Sequence, residues 1–140
     1  MKHLFLATIL ISAGLAGYGQ CDKKVLLTSS QTEHLKADSS IDRTQDEHTV
    51  IEFDKSAITI TPGNENTMTG KIDSIACNWS VPYKAGRTRI KFALTSPDGD
   101  TKNITITIEG KNGKITVLAE VDGEPNHKIR LVADKFEEKH

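Results

Sequence analysis

The sequence predicts an all-β fold, an antiparallel up-and-down meander of about eight strands that closes into a barrel. Apolar residues recur at every second position in most runs from residue 48 onward, which is the pattern of half-buried strands. Short turn signals separate these runs, and the chain shows no long helical period, internal repeat or low-complexity tract. A two-sheet β-sandwich is the alternative architecture for this number of strands.

Eight runs carry the alternation, and each has one apolar face. In chain order they are KKVLLTSS from Lys23, TVIEF from Thr49, SAITIT from Ser56, SIACNWSV from Ser74, TRIKFALT from Thr88, NITITIE from Asn103, KITVLAEV from Lys114 and KIRLVAD from Lys128.

The segments between these runs are rich in turn residues. Asn112-Gly113 is the strongest hairpin signal, because both central residues of a type I′ turn need a positive φ. Turns are also predicted at 53–56, 61–67, 96–100 and 121–126. Sequential hairpins favour the barrel, since a Greek-key sandwich needs long crossing connections, and closure removes exposed sheet edges.

Two segments lack the alternation. Residues 31–48 are polar, and the sequence allows either a short helix from Gln31 to Ala37 or a continuation of the first strand followed by a loop. The last residues, FEEKH, are predicted to form a charged tail after Phe136.

The first residues have the pattern of a secretory signal peptide. Lys2 and His3 precede an apolar run from Leu4 to Leu15, which is too short for a membrane span, and small residues follow. We expect residues 1–19 to be the signal peptide and residues 20–140 to form one domain, exported to the periplasm or the medium. A buried N-terminal helix is the alternative, but GLAGYG would break it.

Two cysteines, Cys21 and Cys77, follow this segment. An even number of cysteines in an exported chain predicts a disulfide, which would stabilise the fold by roughly 4 kcal/mol in the chain-entropy model. Two unpaired thiols are the alternative. Lipid attachment at Cys21 is less favoured, because Gln20 and Tyr18 fit a lipoprotein site poorly.

Charge and motifs exclude several classes of function. The formal net charge of -1 with mixed signs is not the clustered basic surface of nucleic-acid binders, and no later run approaches the length of a membrane span. No nucleophile elbow, phosphate loop or EF-hand spacing occurs. We therefore expect no catalytic residues, no metal and no cofactor. The residues that could in principle gather around a cation are interpreted as a solvated segment: His34, Asp38, Asp42, Asp46, Glu47 and His48.

The single tryptophan, Trp79, shares a strand face with Ile75, Cys77 and Val81. Packing in the core beside the disulfide is the favoured role for its ring. A sugar-stacking platform formed with Tyr83 is the alternative.

The layout of the chain after Cys21 resembles small exported bacterial proteins of lipocalin-like type. The resemblance rests on CDKKVLLTSSQTEHL, DEHTVIEFDKSAITI, GKIDSIACNWSVPYKAGRTRIKFALT and DGDTKNITITIEGKNGKITVLAEVDG, and it includes both cysteines and Trp79. It implies a small β-barrel of the calycin sort with an internal cavity.

Two functions are expected from this layout. The first is a non-enzymatic, envelope-associated or small-molecule-binding barrel that holds a small apolar ligand. Its expected lining is the set of inward-facing residues Phe53, Ile60, Ile72, Trp79, Ile90, Phe92, Ile106 and Val117. The second is a protein-interaction or inhibitor module with a filled core. The sequence predicts no oligomeric state.

Overall fold

The computed structural model describes residues 21–63, 66–95 and 98–139, so the predicted signal peptide lies outside the described residues. Those residues form nine β-strands and no helix. The strands are β1 (Val25–Leu35), β2 (Ile41–Phe53), β3 (Ala57–Pro62), β4 (Met68–Val81), β5 (Ala85–Thr95), β6 (Thr101–Lys111), β7 (Lys114–Val121), β8 (Glu124–Val132) and β9 (Lys135–Glu138).

The first eight strands close into an antiparallel up-and-down barrel, which confirms the predicted fold class. Each strand from β1 to β7 pairs with the next, and β8 pairs with β1 through Thr32–Leu35 of β1. The hairpin predicted at Asn112-Gly113 is present, with Asn112 at φ 54° and Gly113 at φ 83°.

The polar segment 31–48 is strand rather than helix or loop for most of its length. β1 continues to Leu35, residues 36–40 turn, and β2 begins at Ile41. One of the two expectations was that the first strand continues and a loop follows. The strand does continue, but the loop is limited to residues 36–40. The sequence does not reveal this strand because the first half of β2 has no apolar face, and most of its side chains are exposed.

The predicted charged tail is wrong, because the chain after Asp134 forms strand β9. β8 and β9 together cover one edge of the bent strand β1. β8 pairs with its second half, and β9 pairs with Val25–Thr28. At the break between them, Asp134 N donates a hydrogen bond to Thr28 O at 2.7 Å. Four residues with one aromatic side chain give too short a pattern to predict a strand.

Alternation of strand direction gives the barrel two ends. We call the end that contains the start of β1, the end of β2 and strand β9 the closed end. The connections from β1 to β2, β3 to β4, β5 to β6 and β7 to β8 lie at the other end, which we call the open end.

Large apolar side chains fill the closed end. Each is at most 8 % exposed, and together they form one cluster. Its members at this end are Val25, Leu27, Phe53, Ile58, Ile72, Trp79, Ile90, Phe92, Ile108 and Ile115. Complete burial of side chains of this size stabilises a fold by about 1.5–3 kcal/mol each before the entropy of ordering is counted.

The disulfide spans a gap in the barrel wall. β4 is much longer than β3, and the ladder between them ends at Lys71, so that the second half of β4 pairs only with β5. Cys77 lies in that half and is bonded to Cys21, just before β1, with 5.8 Å between the Cα atoms. The predicted disulfide is therefore confirmed. It links the residues just before β1 to the part of β4 that pairs only with β5.

Trp79 occupies the centre of the closed end, so the sugar-stacking alternative is wrong. Its side chain is 3 % exposed, and its Nε1 donates a hydrogen bond to Thr88 Oγ1 at 2.7 Å. The ring packs at 5.4 Å from the ring of Phe136, which also contacts Tyr83 edge to face at 5.0 Å. Burial, with Glu138 nearby, raises the pKa of Tyr83.

Two glycines make room for the indole of Trp79. Trp79, Gly86 and Gly110 are neighbours across β4, β5 and β6. A Cβ on Gly110 would lie 2.6 Å from Trp79 Cζ3, and a Cβ on Gly86 would overlap the backbone and ring of Trp79. A glycine inside a strand often marks such a close approach.

Bulges and irregular pairing change which residues face inward along β4. Ile72 and Ile75 both face the core although they differ by three positions, because the register shifts between Ile72 and Ser74. A second shift follows Trp79, and Val81, predicted to face inward, is 47 % exposed.

Candidate functional site

A cavity of about 880 Å³ occupies the open end of the barrel. Its inner part is walled by buried residues such as Ile106 and Val117, and its outer part reaches solvent between exposed residues such as Arg43 and Lys128. The volume lies within the range of small-molecule sites, about 300–1,000 Å³.

Three of the eight residues predicted to contact a ligand line this cavity, namely Ile60, Ile106 and Val117. The other five lie in the filled closed end and do not reach the cavity wall: Phe53, Ile72, Trp79, Ile90 and Phe92. All eight face the interior or pack against the core, as expected. Contact of any of them with a ligand stays a prediction.

One side of the cavity is apolar. Strands β3 to β8 supply it, and the side chains are mostly aliphatic and of medium size. They are Ile60, Pro62, Met68, Leu94, Ile104, Ile106, Val117, Ala119, Val121, Ile129 and Leu131.

The opposite side comes from β1 and β2 and is mostly polar, although Leu35 and Ile51 also belong to it. Successive inward residues of β2 run from the open end to the core as Arg43, Gln45, Glu47 and Thr49, and they face Thr32 and His34 on β1. The sequence interpretation expected an almost wholly apolar lining, and this wall corrects it. The cavity is amphipathic because one wall comes from the segment that lacks an apolar face.

Hydrogen bonds organise the middle of the polar wall around Glu47. Its Oε1 accepts a hydrogen bond from the Thr32 hydroxyl at 3.2 Å, and its Oε2 accepts one from the Gln45 amide at 3.4 Å. Thr49, which is 5 % exposed, lies next to it towards the core. The Thr49 hydroxyl is buried and has no hydrogen-bond partner among the described residues.

Charged side chains and tight turns hold the rim. Lys128 Nζ donates hydrogen bonds to Ala37 O at 3.0 Å and to Ser39 Oγ at 3.3 Å, which ties β8 to the turn between β1 and β2. In the same turn, hydrogen bonds from the Ser40 hydroxyl and backbone lower the pKa of Asp38.

The starts of β6 and β8 contribute a further set of charges at the rim. Glu124 lies 3.1 Å from Lys102 Nζ and 2.8 Å from His127 Nδ1. The hydrogen bond from Lys102, with His127 adding to it, lowers the pKa of Glu124.

The described residues contain no group of three or more His, Cys, Asp and Glu side chains placed to hold a metal ion. His34 lies in the cavity wall and His127 at the rim. The described part of the chain contains no helix that is long and apolar enough to span a membrane.

Comparisons with models of known protein families, with curated proteins and with solved structures gave no match to this chain. The barrel is compatible with a lipocalin-like fold. The disulfide indicates an oxidising environment.

The polar wall was missed at the sequence level although a signal for it exists. Ile51 and Phe53 are the alternate apolar residues of the run TVIEF, and both are odd-numbered. Counting back by twos gives Thr49, Glu47 and Gln45, which are the residues that the structure places in the wall. The alternation of inward-facing and outward-facing residues continues through the first half of β2, but the inward-facing residues there are polar.

Proposed function

We propose that this chain is an exported, non-enzymatic binding protein that takes a small molecule with a largely apolar body into the open end of a lipocalin-like barrel. The observation that carries the proposal is the cavity of about 880 Å³ beside a filled closed end. An interior void of this size favours ligand binding over the alternative of an interaction module with a filled core.

Export is part of the proposal and has two supports. The first is the signal-like apolar run from Leu4 to Leu15. The second is the bond between Cys21 and Cys77, since disulfides persist in oxidising compartments. A Cys21 sulfur held in a disulfide does not carry a thioether-linked lipid, so release into the periplasm or medium is the favoured destination.

Titration with the neutral fluorescent probe N-phenyl-1-naphthylamine tests the binding site. Ala119 lines the cavity on β7, and an Ala119→Trp substitution would place a large ring in it. Ala76 is exposed on β4, so Ala76→Trp adds the same ring outside the barrel. We expect saturable binding to the wild-type chain and to Ala76→Trp, and loss of binding in Ala119→Trp. Equal binding by all three chains, or none by any, would contradict the proposal.

Native mass spectrometry of the chain purified from its own host supplies an independent readout. We expect a co-purifying small molecule, and a protein mass that lacks residues 1–19 and two hydrogens. A mass that retains the first 19 residues, or free thiols in that sample, would contradict export and the bridge.

A further inference from the structure

The cavity wall contains a carboxylate that forms no ion pair with any residue the structure describes. Glu47 takes part in none of the ion pairs formed within the described ranges. An ionised carboxylate offers about four acceptor positions. The hydroxyl of Thr32 and the amide of Gln45 occupy two of them, so acceptor capacity remains for another donor.

The Thr49 hydroxyl is a second group that needs a partner. It is buried two residues farther into the barrel on the same face of β2, and no described residue bonds to it. Buried polar atoms in folded proteins nearly always have a hydrogen-bond partner. Threonine changes χ1 rotamer between staggered positions, and such a rotation can turn this hydroxyl towards a bound molecule.

We propose that the ligand is an amphipathic amine, whose protonated amino group binds Glu47 and Thr49 and whose apolar body lies against Ile60, Ile106 and Val117. An ammonium group has three donors and no acceptor, which suits a carboxylate and a hydroxyl oxygen. This inference rests on the proposed function, since it requires that the cavity bind a small molecule.

An amine is favoured over a carboxylate ligand because of where the basic side chains lie. Arg43 and His34 are nearer the rim than Glu47, and Arg43 is exposed to water. Lys128 is also exposed and already bonds to the turn at Ala37 and Ser39. Attraction between charges is weaker at such solvated positions than in the half-buried wall around Glu47.

Three alkyl probes that differ only in the head group test the inference: decylamine, 1-decanol and decanoate. Their affinities are measured at neutral pH by isothermal titration calorimetry on the wild-type chain and on Glu47→Gln. Glu109→Gln is the matched control, since Glu109 is exposed on β6 and its only described charge partner is Arg87. Thr49→Val serves as a second variant that keeps the side-chain volume.

We expect decylamine to bind the wild-type chain about tenfold more tightly than 1-decanol, the size of a charge-assisted hydrogen bond. Glu47→Gln should remove that preference and leave the affinity for 1-decanol unchanged. Thr49→Val should weaken decylamine binding by a smaller factor, and Glu109→Gln should change neither affinity.

Three outcomes overturn the inference. Tightest binding of decanoate, lost in Arg43→Gln, would assign the cavity to an anionic ligand. Equal affinities for the three probes, unaffected by Glu47→Gln, would show that the cavity binds an alkyl chain without selecting its head group. Failure of every probe to bind would overturn the proposed function together with this inference.

Discussion

The two ends of this barrel are built from the same strands but are filled differently. On β5, Phe92 is 1 % exposed in the closed end, whereas Leu94, two residues farther along the same face, lines the cavity. On β2, Phe53 and Ile51 give way to Thr49 and Glu47. The interior of an eight-stranded barrel is just wide enough for side chains to fill. Whether the interior is filled at a given height along the barrel axis therefore depends on the volume of the inward-facing side chains at that height.

Three features hold the closed end together. Strand β9 brings Phe136 against Trp79, the disulfide spans the gap beside β4, and Gly110 lets the indole approach the sheet. At the open end, medium-sized aliphatic residues face a polar wall. We infer that the closed end contributes most of the stability and that the open end is left for binding.

The largest expected effect comes from a pair of truncations on β5. Phe92→Ala should lower the free energy of unfolding by about 3–5 kcal/mol, because it creates a cavity in a filled core. Leu94→Ala should lower it by only about 1 kcal/mol, because that side chain is half-buried in a cavity wall. Urea denaturation measures both. Similar losses in the two variants would remove the distinction between the ends.

Loss of the disulfide should have the next largest effect. The double variant Cys21→Ser/Cys77→Ser should lose about 2–4 kcal/mol, because the bridge closes a loop of 56 residues in the unfolded chain. Reduction of the wild-type protein should lower the urea midpoint to that of the double variant. An unchanged midpoint would show that the bridge adds nothing to the closed end.

A smaller effect is expected where the indole approaches the sheet. Gly110→Ala should cost up to about 3 kcal/mol, since the new methyl overlaps the ring of Trp79. In a Trp79→Leu background the same substitution should cost clearly less, and a double-mutant cycle measures the difference. An equal cost in both backgrounds would show that the glycine is needed for another reason.

The smallest effects come from two threonine hydroxyls and should differ in sign. Thr88→Val should lower stability by about 1–2 kcal/mol, because Trp79 Nε1 loses its acceptor. Thr49→Val should raise stability by about 1 kcal/mol, because it removes a buried hydroxyl that has no described partner. Thermal or urea unfolding of the two variants checks the signs. Destabilisation by Thr49→Val would mean that this hydroxyl is satisfied in the free protein.

The sequence was sufficient for the barrel and for most of its core. Alternation in the runs around Ile90, Ile106 and Val117 depends only on one face being buried, and it predicts strands whatever lies inside. The pairing of Cys21 with Cys77 followed from an even cysteine count.

The division of the interior into a filled end and a cavity was not predictable in the same way. It depends on which inward-facing residues of different strands lie at the same height along the barrel axis. Register shifts such as those near Ser29 and Ile72 change these heights. Five of the eight expected lining residues consequently lie in the filled end. The polar wall near Glu47 was missed because the alternation there places polar residues on the inward face. Strand β9 was missed because four residues are too few to show a pattern.

Methyl NMR of the isotopically labelled chain during titration with 1-decanol tests the difference between the two ends most directly. The account predicts saturable shifts of the methyl signals of Ile60, Ile106 and Val117, with the signals of Ile58, Ile90 and Leu27 at the closed end unchanged. Shifts concentrated at the closed end, or no shifts at either end, would contradict it.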